Sequence, residues 1–297
     1  MTKVVFAATG DRQEGVRASL KGLEVNPARG KEVLIKPNFN TADPCPGSTH
    51  NDTLVALVDE LWGMGATAIS LGERSYLPTR QVMEQKGVTS LMKERDVKIL
   101  DFDDLGEKDW VEFKPNDCHW TKGFRIARPI LESECLVSTC CLKTHQFGGV
   151  FTMSLKLHVG VVPTIRHGFE YMTELHRSSH QQKMIAEINE PFSPELVIMD
   201  AIDAFVDGGP SHGERAKGNV ILASTDRVAV DAAGLAILKV LGSNASIMKP
   251  KIFEQDQIAR GVELGLGVSS ASEIDMVATD PGGQQYCDRV VKTLAEG

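Results

Sequence analysis

The chain has 297 residues, of which 42% are apolar and 24% charged, and its formal net charge is −8. That length holds a sizeable core in one large domain or two smaller ones, and the composition is globular rather than disordered or fibrous. The acidic balance lacks the basic, aromatic-interleaved stripe that nucleic acid demands, no apolar run reaches bilayer-spanning length, and the six cysteines form no C-x-x-C pair, the usage of reduced cytoplasmic thiols.

Residues 1–15, MTKVVFAATGDRQEG, begin as a strand over 4–8 and lack the regions of a secretory leader. A helix over 12–23 and a strand over 32–36 follow, the strand stopped by Pro37. The Pro-, Gly- and Ser-rich stretch 41–51 is a loop. Asp52 is expected to cap a helix whose apolar stripe is Leu54, Val55, Leu57, Val58, Leu61 and Trp62. A strand over 67–71 then ends in Gly72-Glu73-Arg74, and the strand–helix–strand spacing predicts a parallel sheet.

In the middle, VKILDF, WVEFK and FRIAR between 97 and 128 read as antiparallel strands. Residues 134–141 form a buried strand, and 142–170 read as a loop and broken helix. A helix over 179–189, a strand over 196–200, a glycine-rich loop over 206–218, a strand over 219–223 and an apolar helix over 228–241 come next. Two more helices and a terminal strand and helix finish the chain. The expectation is an α/β fold: a mostly parallel sheet with flanking helices and a mixed or antiparallel middle segment. It would form one domain over 1–297, with a two-lobed variant that sets off a sub-lobe at about 97–170.

Three lysines follow apolar runs that read as buried strands: Lys36 in VLIKPNFN, Lys143 in LVSTCCLKTH and Lys156 in FTMSLKLHVG. An unpaired buried ammonium is costly, so each calls for an anionic partner, from the protein or from a ligand. Ligands of open α/β sheets bind beyond the carboxyl ends of the strands. Lys36, Glu73, Lys143 and Asp200 all fall at expected strand ends and would share one crevice. Asn38 would orient a ligand there. Lys143-Thr144-His145 supplies an amine, a hydroxyl and an imidazole for anion binding or acid–base chemistry, with Gly148 and Gly149 allowing close approach. The competing, blander outcomes are a snorkelling Lys36 and an incidental loop at 143–145.

His158, His167, His176 and His180 lie close in sequence, and the i, i+4 spacing of His176 and His180 would suit a metal on one helix face. Solvated or core histidines are the commoner outcome. Asp200, Asp203 and Asp207 are expected to gather over the crevice, to hold a divalent cation or pair with the lysines, unless they simply cap turns. Asp226 reads as an N-cap, and Asp231, inside an apolar helix, needs a partner. Cys140 or Cys141 beside His145 would be a nucleophile or, more often for such cysteines, a small core residue. No dinucleotide, Walker, nucleophile-elbow or zincin motif occurs.

The motifs VLIKPNFN, GMGATAISLGE, LKTH, HQQKMIAEIN, VIMDAIDAFVDGGPSHG, ILASTDRVAVDAAG and IARGVELGLG occur together and in order over roughly residues 3–280. In this the chain resembles the family called domain of unknown function 362. The resemblance implies characteristic positions at Lys36, Asn38, Glu73, Lys143, His145, Lys156, Asp200, Gly209, Pro210 and Asp231, and at His180 before its helix. Many such relatives carry a ferredoxin-like segment with four-cysteine cluster motifs, which this sequence lacks. Relatives often read L-K-N where this chain reads Leu155-Lys156-Leu157. A more distant similarity is to the nickel-dependent lactate racemase superfamily, a two-lobed α/β fold.

The leading expectation is a cytoplasmic enzyme acting on a small anionic substrate, carboxylate or phosphate. His145, Lys143 and Glu73 would be catalytic, with His145 as general acid or base. Lys36, Asn38, Lys156 and Gly209 would bind substrate, and Asp200, His176 and His180 would hold any divalent metal. The alternatives are a metal- or iron–sulfur-linked redox protein working with a redox partner, and a non-catalytic binding protein whose lysines merely pair with carboxylates. A homo-oligomer fits either case.

Overall fold

The structure is a computed structural model that describes residues 1–166 and 168–297, so His167 lies outside the described residues. The chain opens with β1 (Thr2–Ala8), α1 (Arg12–Leu23), β2 (Glu32–Lys36), α2 (Asn51–Gly63), β3 (Ala68–Glu73), α3 (Thr79–Gln85), α4 (Val88–Lys93) and β4 (Val97–Asp101). It continues through β5 (Trp110–Phe113), β6 (Phe124–Ala127), α5 (Arg128–Leu131), β7 (Cys135–His145), β8 (Val150–Thr152) and α6 (Ser154–Leu157). Next come β9 (Ile165–Arg166), β10 (Phe169–Glu170), α7 (Tyr171–Arg177), α8 (Gln181–Glu187), β11 (Leu196–Gly208), β12 (Gly213–Lys217), β13 (Val220–Ser224) and α9 (Arg227–Leu241). The last elements are α10 (Ala245–Met248), α11 (Asp256–Glu263), β14 (Ile274–Ala278) and α12 (Pro281–Glu296).

Among the described residues, one ten-stranded sheet follows the path β14-β1-β13-β11-β7-β2-β3-β4, with β12 on β11 and β8 on β7. The run β11-β7-β2-β3-β4 is parallel throughout. β13 lies antiparallel to both β1 and β11. The fold is therefore α/β, a mostly parallel sheet with an antiparallel portion and helices on both faces. Because β7 is covered on both sides it is apolar on both: Leu136, Cys140 and Leu142 enter one core, Cys135 and Val137 the other. The first core packs Leu235 and Leu238 of α9 with Met184 of α8 and Val290 of α12. The second packs Val16 and Leu20 of α1 with Leu54, Leu57 and Leu61 of α2.

Local chemistry sets the helix ends. The Asp11 carboxylate accepts the Glu14 amide at the start of α1, and Asp226 accepts the amides of Val228 and Ala229 at the start of α9. At α2 the cap is His50, whose ring accepts the Asp52 amide, so the helix starts one residue before the expected Asp52 cap.

Four expectations need correction. Of the strands between 97 and 128, β4 pairs parallel with β3, while β5 and β6 pair antiparallel with each other. β7 runs on through His145 because Lys143, Thr144 and His145 pair with Thr152, Phe151 and Val150 of β8. β11 extends to Gly208 across a register break between Asp200 and Ala204. Residues 213–217, expected in a loop, form β12 against it. Among the described residues, no helix is long and apolar enough to cross a membrane.

Candidate functional site

The neighbouring strands β3, β2 and β7 end side by side, and their carboxyl ends open into a cavity of about 860 Å³. Lys36 closes β2, Glu73 closes β3, and Lys143 and His145 come from the end of β7. Thr152 of β8, Lys156 of α6 and the 209–212 turn add further walls, and His176 and Arg177 of α7 stand at the rim. The described lining holds five Lys or Arg residues (Lys36, Arg74, Lys143, Lys156, Arg177) and one carboxylate, Glu73. A net-acidic protein thus carries an electropositive cavity.

Lys36 and Glu73 neutralise each other. Their ion pair is 2.6 Å long and both side chains are buried. Glu73 also accepts the amides of Phe39 and Arg74, each at 2.9 Å. Burial pushes the Lys36 ammonium down and the Glu73 carboxyl up. Gly160 lies close against the pair, since a Cβ there would come within 2.9 Å of Lys36 Nζ. Arg74 is also buried, and its guanidinium donates to the carbonyls of Val162 at 2.6 Å and Val159 at 2.9 Å. It therefore ties the 159–164 segment to the end of β3.

Among the described residues, Lys143 forms no ion pair with a carboxylate. Its ammonium donates to the carbonyls of Gly47 at 2.5 Å and Pro210 at 3.2 Å. Burial pushes it down. Lys156, only 8% exposed, has no hydrogen-bond or ion-pair partner among the described residues. Burial, with Lys143 and Arg74 nearby, pushes its amine down to about 7. The non-catalytic alternative, in which all three lysines pair with carboxylates, holds for Lys36 alone.

His145 stands in the cavity wall, as expected. Burial and the charges of Lys156 and Lys143 push its imidazole down to about 2, so the ring is neutral at any physiological pH. Lys156, by contrast, is the lining amine pushed into the neutral range. Among the described residues, three polar atoms of the wall are buried without a hydrogen-bond partner: His145 Nδ1, Asn38 Nδ2 and Thr152 Oγ1. Unpaired buried polar atoms are rare, and such a group facing a cavity fits a ligand. Thr144, by contrast, points away and donates to Phe205 O and Gly208 O.

Local backbone holds these groups in place. Gly149 packs under both Lys156 and His145: a Cβ there would lie 2.7 Å from Lys156 Cε and 3.1 Å from His145 Nδ1. The next residue, Val150, has φ 59° and sits in a γ-turn closed by Phe151 N–H to Gly149 O at 2.6 Å, a strained conformation for a β-branched residue. At the base of α6, Asp231 accepts the amides of Ser154 at 2.7 Å and Leu155 at 2.9 Å. Lys156 thus sits on a short helix and not at a strand end. Gly209 lines the cavity, but its φ of 72° and its approach to the Thr144 carbonyl give glycine a backbone reason to be there.

The expected metal ligands are not brought together. Asp200 is fully buried away from the cavity, paired with Arg12 at 2.7 Å and accepting from the Thr53 hydroxyl at 2.7 Å. Asp203 shares Arg12, and Asp207 binds Asn244. His176 ends α7 with its Nδ1 on Met172 O, whereas His180 precedes α8 and packs its ring 4.6 Å from that of His119. Ser178 breaks the helix between them, so the i, i+4 spacing does not make one face. His158 lies in the core between Ser138 and Asn189. Among the described residues, no three His, Cys, Asp or Glu side chains gather as a metal site. Cys140 and Cys141 are both buried and, as neighbours on a strand, face opposite sides of the sheet. Arg74, Thr152 and Arg177 were not legible as site residues, although the strand-end position of Glu73-Arg74 carried a signal for the first.

No curated protein matches the chain. Seven solved chains do. One is the lactate racemase apoprotein from Thermoanaerobacterium thermosaccharolyticum, similar at 13% identity and a TM-score of 0.48 over 97% of this chain and 86% of that one. The model of the family described as domain of unknown function (DUF362) matches residues 33–236, a span that contains the whole cavity lining, and the chain belongs to that family.

Proposed function

We propose that the protein is an enzyme whose cavity binds a small anionic substrate, a carboxylate or a phosphate. One observation carries this reading: the buried amine of Lys156 faces the cavity with no acidic partner among the described residues. Its ammonium form is unfavourable until an anion supplies the missing charge. The unpartnered Asn38 Nδ2 and Thr152 Oγ1 are available as donors to the same anion, and neutral His145 can donate or accept through Nδ1. Lys143 adds positive charge from the wall, and Lys36–Glu73 shapes the floor.

Calorimetric titration with oxalate and with inorganic phosphate tests the reading. Wild type is expected to bind at least one of them, and Lys156→Met to lose about 10- to 100-fold in affinity, the value of a charged hydrogen bond. Absence of binding by either probe, or unchanged affinity in Lys156→Met, would overturn it.

A further inference from the structure

Of the three cavity lysines, Lys36 is held by Glu73 and Lys143 by two carbonyls, while Lys156 has neither kind of partner among the described residues. Its stem lies over Gly149 beside the His145 ring, and its backbone is fixed by the Asp231 grip on α6. A positioned, unbonded amine next to an unpartnered imidazole nitrogen is the arrangement of a nucleophile.

We propose that Lys156 Nζ condenses with a carbonyl carbon, and that the cavity takes an aldehyde or ketone bearing a carboxylate or phosphate. This rests on the anion-binding reading and names the substrate class of the same site. The step balances without an oxidant or a metal. The amine lone pair forms a C–N bond to the carbonyl carbon as the C=O π pair moves to oxygen. A proton passes from nitrogen to that oxygen. A second proton leaves nitrogen with the hydroxyl as water, and the C=N bond forms. Amine and carbonyl give imine and water.

Two further observations agree. Burial and neighbouring cations keep Lys156 near 7, so much of it is free amine at neutral pH. The cavity also exceeds the needs of the smallest oxo acids: at about 860 Å³ it is the size of sites for drug-sized ligands. Tyr76 and Phe147, 79% and 60% exposed, stand in its lining and offer flat faces to a larger substrate body.

The test is reductive trapping of the full chain with glyoxylate and cyanoborohydride at pH 7.5, followed by peptide mapping. The expected result is one carboxymethyl group on Lys156, formed at least tenfold faster than on any other lysine and slowed by oxalate. Propanal, which lacks the anion, is expected to label Lys156 with no such preference. Lys156→Arg keeps the positive charge but has no primary amine, so it is expected to lose the fast adduct. Labelling spread evenly over surface lysines, or an unmodified Lys156 in a protein that binds oxalate, overturns the carbonyl assignment and leaves anion binding standing. Failure to bind both oxalate and phosphate overturns both proposals.

Discussion

Lys156 sets a conflict between stability and use that can be measured. Its unfolded-state value is 10.5 and its folded value about 7. Below pH 7 both states carry the proton, and the folded protein bears the full cost of a buried, unpaired ammonium. Between 7 and 10.5 the unfolded chain holds more protons than the folded one, so stability from this group rises with pH. Above 10.5 the cost is gone. Lys156→Met is therefore expected to stabilise the protein at pH 6 by roughly 2–4 kcal/mol, a gain that vanishes by pH 10.5. Urea unfolding midpoints at the two pH values check it, and a variant less stable than wild type at pH 6 would mean the ammonium has a partner. Gly149 is the second informative residue. Alanine there puts a Cβ 2.7 Å from Lys156 Cε, and the flexible lysine end yields before the backbone does. Gly149→Ala should weaken oxalate binding about tenfold, with a change in unfolding free energy below about 1 kcal/mol, near the ordinary effect of a single substitution. The sequence pointed to Lys156 because a lysine after an apolar run is conspicuous. It could not reveal that the imidazole of His145 is neutral, because that depends on burial and on two lysines brought in by the fold.

Whole elements hold these residues through a few buried polar contacts. Asp231, in the middle of α9, is fully buried and accepts both amides that open α6. Asp231→Ala leaves two buried amides without acceptors, which costs about 2–4 kcal/mol. It should also slow trapping at Lys156, whereas Asp231→Asn, which keeps one acceptor, should restore part of both. On the opposite face of the sheet, Arg12 of α1 clasps Asp200 and Asp203 of β11. Arg12→Ala strands the fully buried Asp200 and is expected to cost about 3–5 kcal/mol. Because Asp200 faces away from the cavity, oxalate affinity should be unchanged wherever the variant is folded. Thermal unfolding together with titration separates the two outcomes. Element boundaries were legible where a local signal ends an apolar pattern. Pro37 stops β2 at Lys36, as expected. They were illegible where tertiary pairing overrides the pattern. β7 carries Lys143, Thr144 and His145 because β8 folds back on them, and polar residues conceal the strand. A helix break at Ser178 separates His176 from His180, and nothing in their spacing marks it.

At the scale of the whole molecule, the parallel order β11-β7-β2-β3-β4 converts sequence-distant residues into one cavity. The alternation of strands and helices made the α/β class readable, and the strand ends of β2, β3 and β7 pointed to the crevice. The same logic failed for Asp200, since a strand end was assumed where β11 continues for eight more residues to Gly208. Burial of an anion in this cavity must stabilise the entire fold, because the unfolded chain has no such site. The size of that effect depends on Lys156. An anion bound beside it favours the ammonium, so binding above pH 7 requires proton uptake, while binding below pH 7 does not. Oxalate is therefore expected to raise the melting temperature most at pH 6 and progressively less as the pH climbs beyond 7. At 100 times its dissociation constant a ligand adds about 2.7 kcal/mol, enough to shift the melting temperature of a chain this large by several degrees. In Lys156→Met the pH dependence should flatten, and in Lys156→Arg the shift should persist to pH 9 because the guanidinium keeps its proton. A wild-type shift that grows with pH would place the titrating group elsewhere.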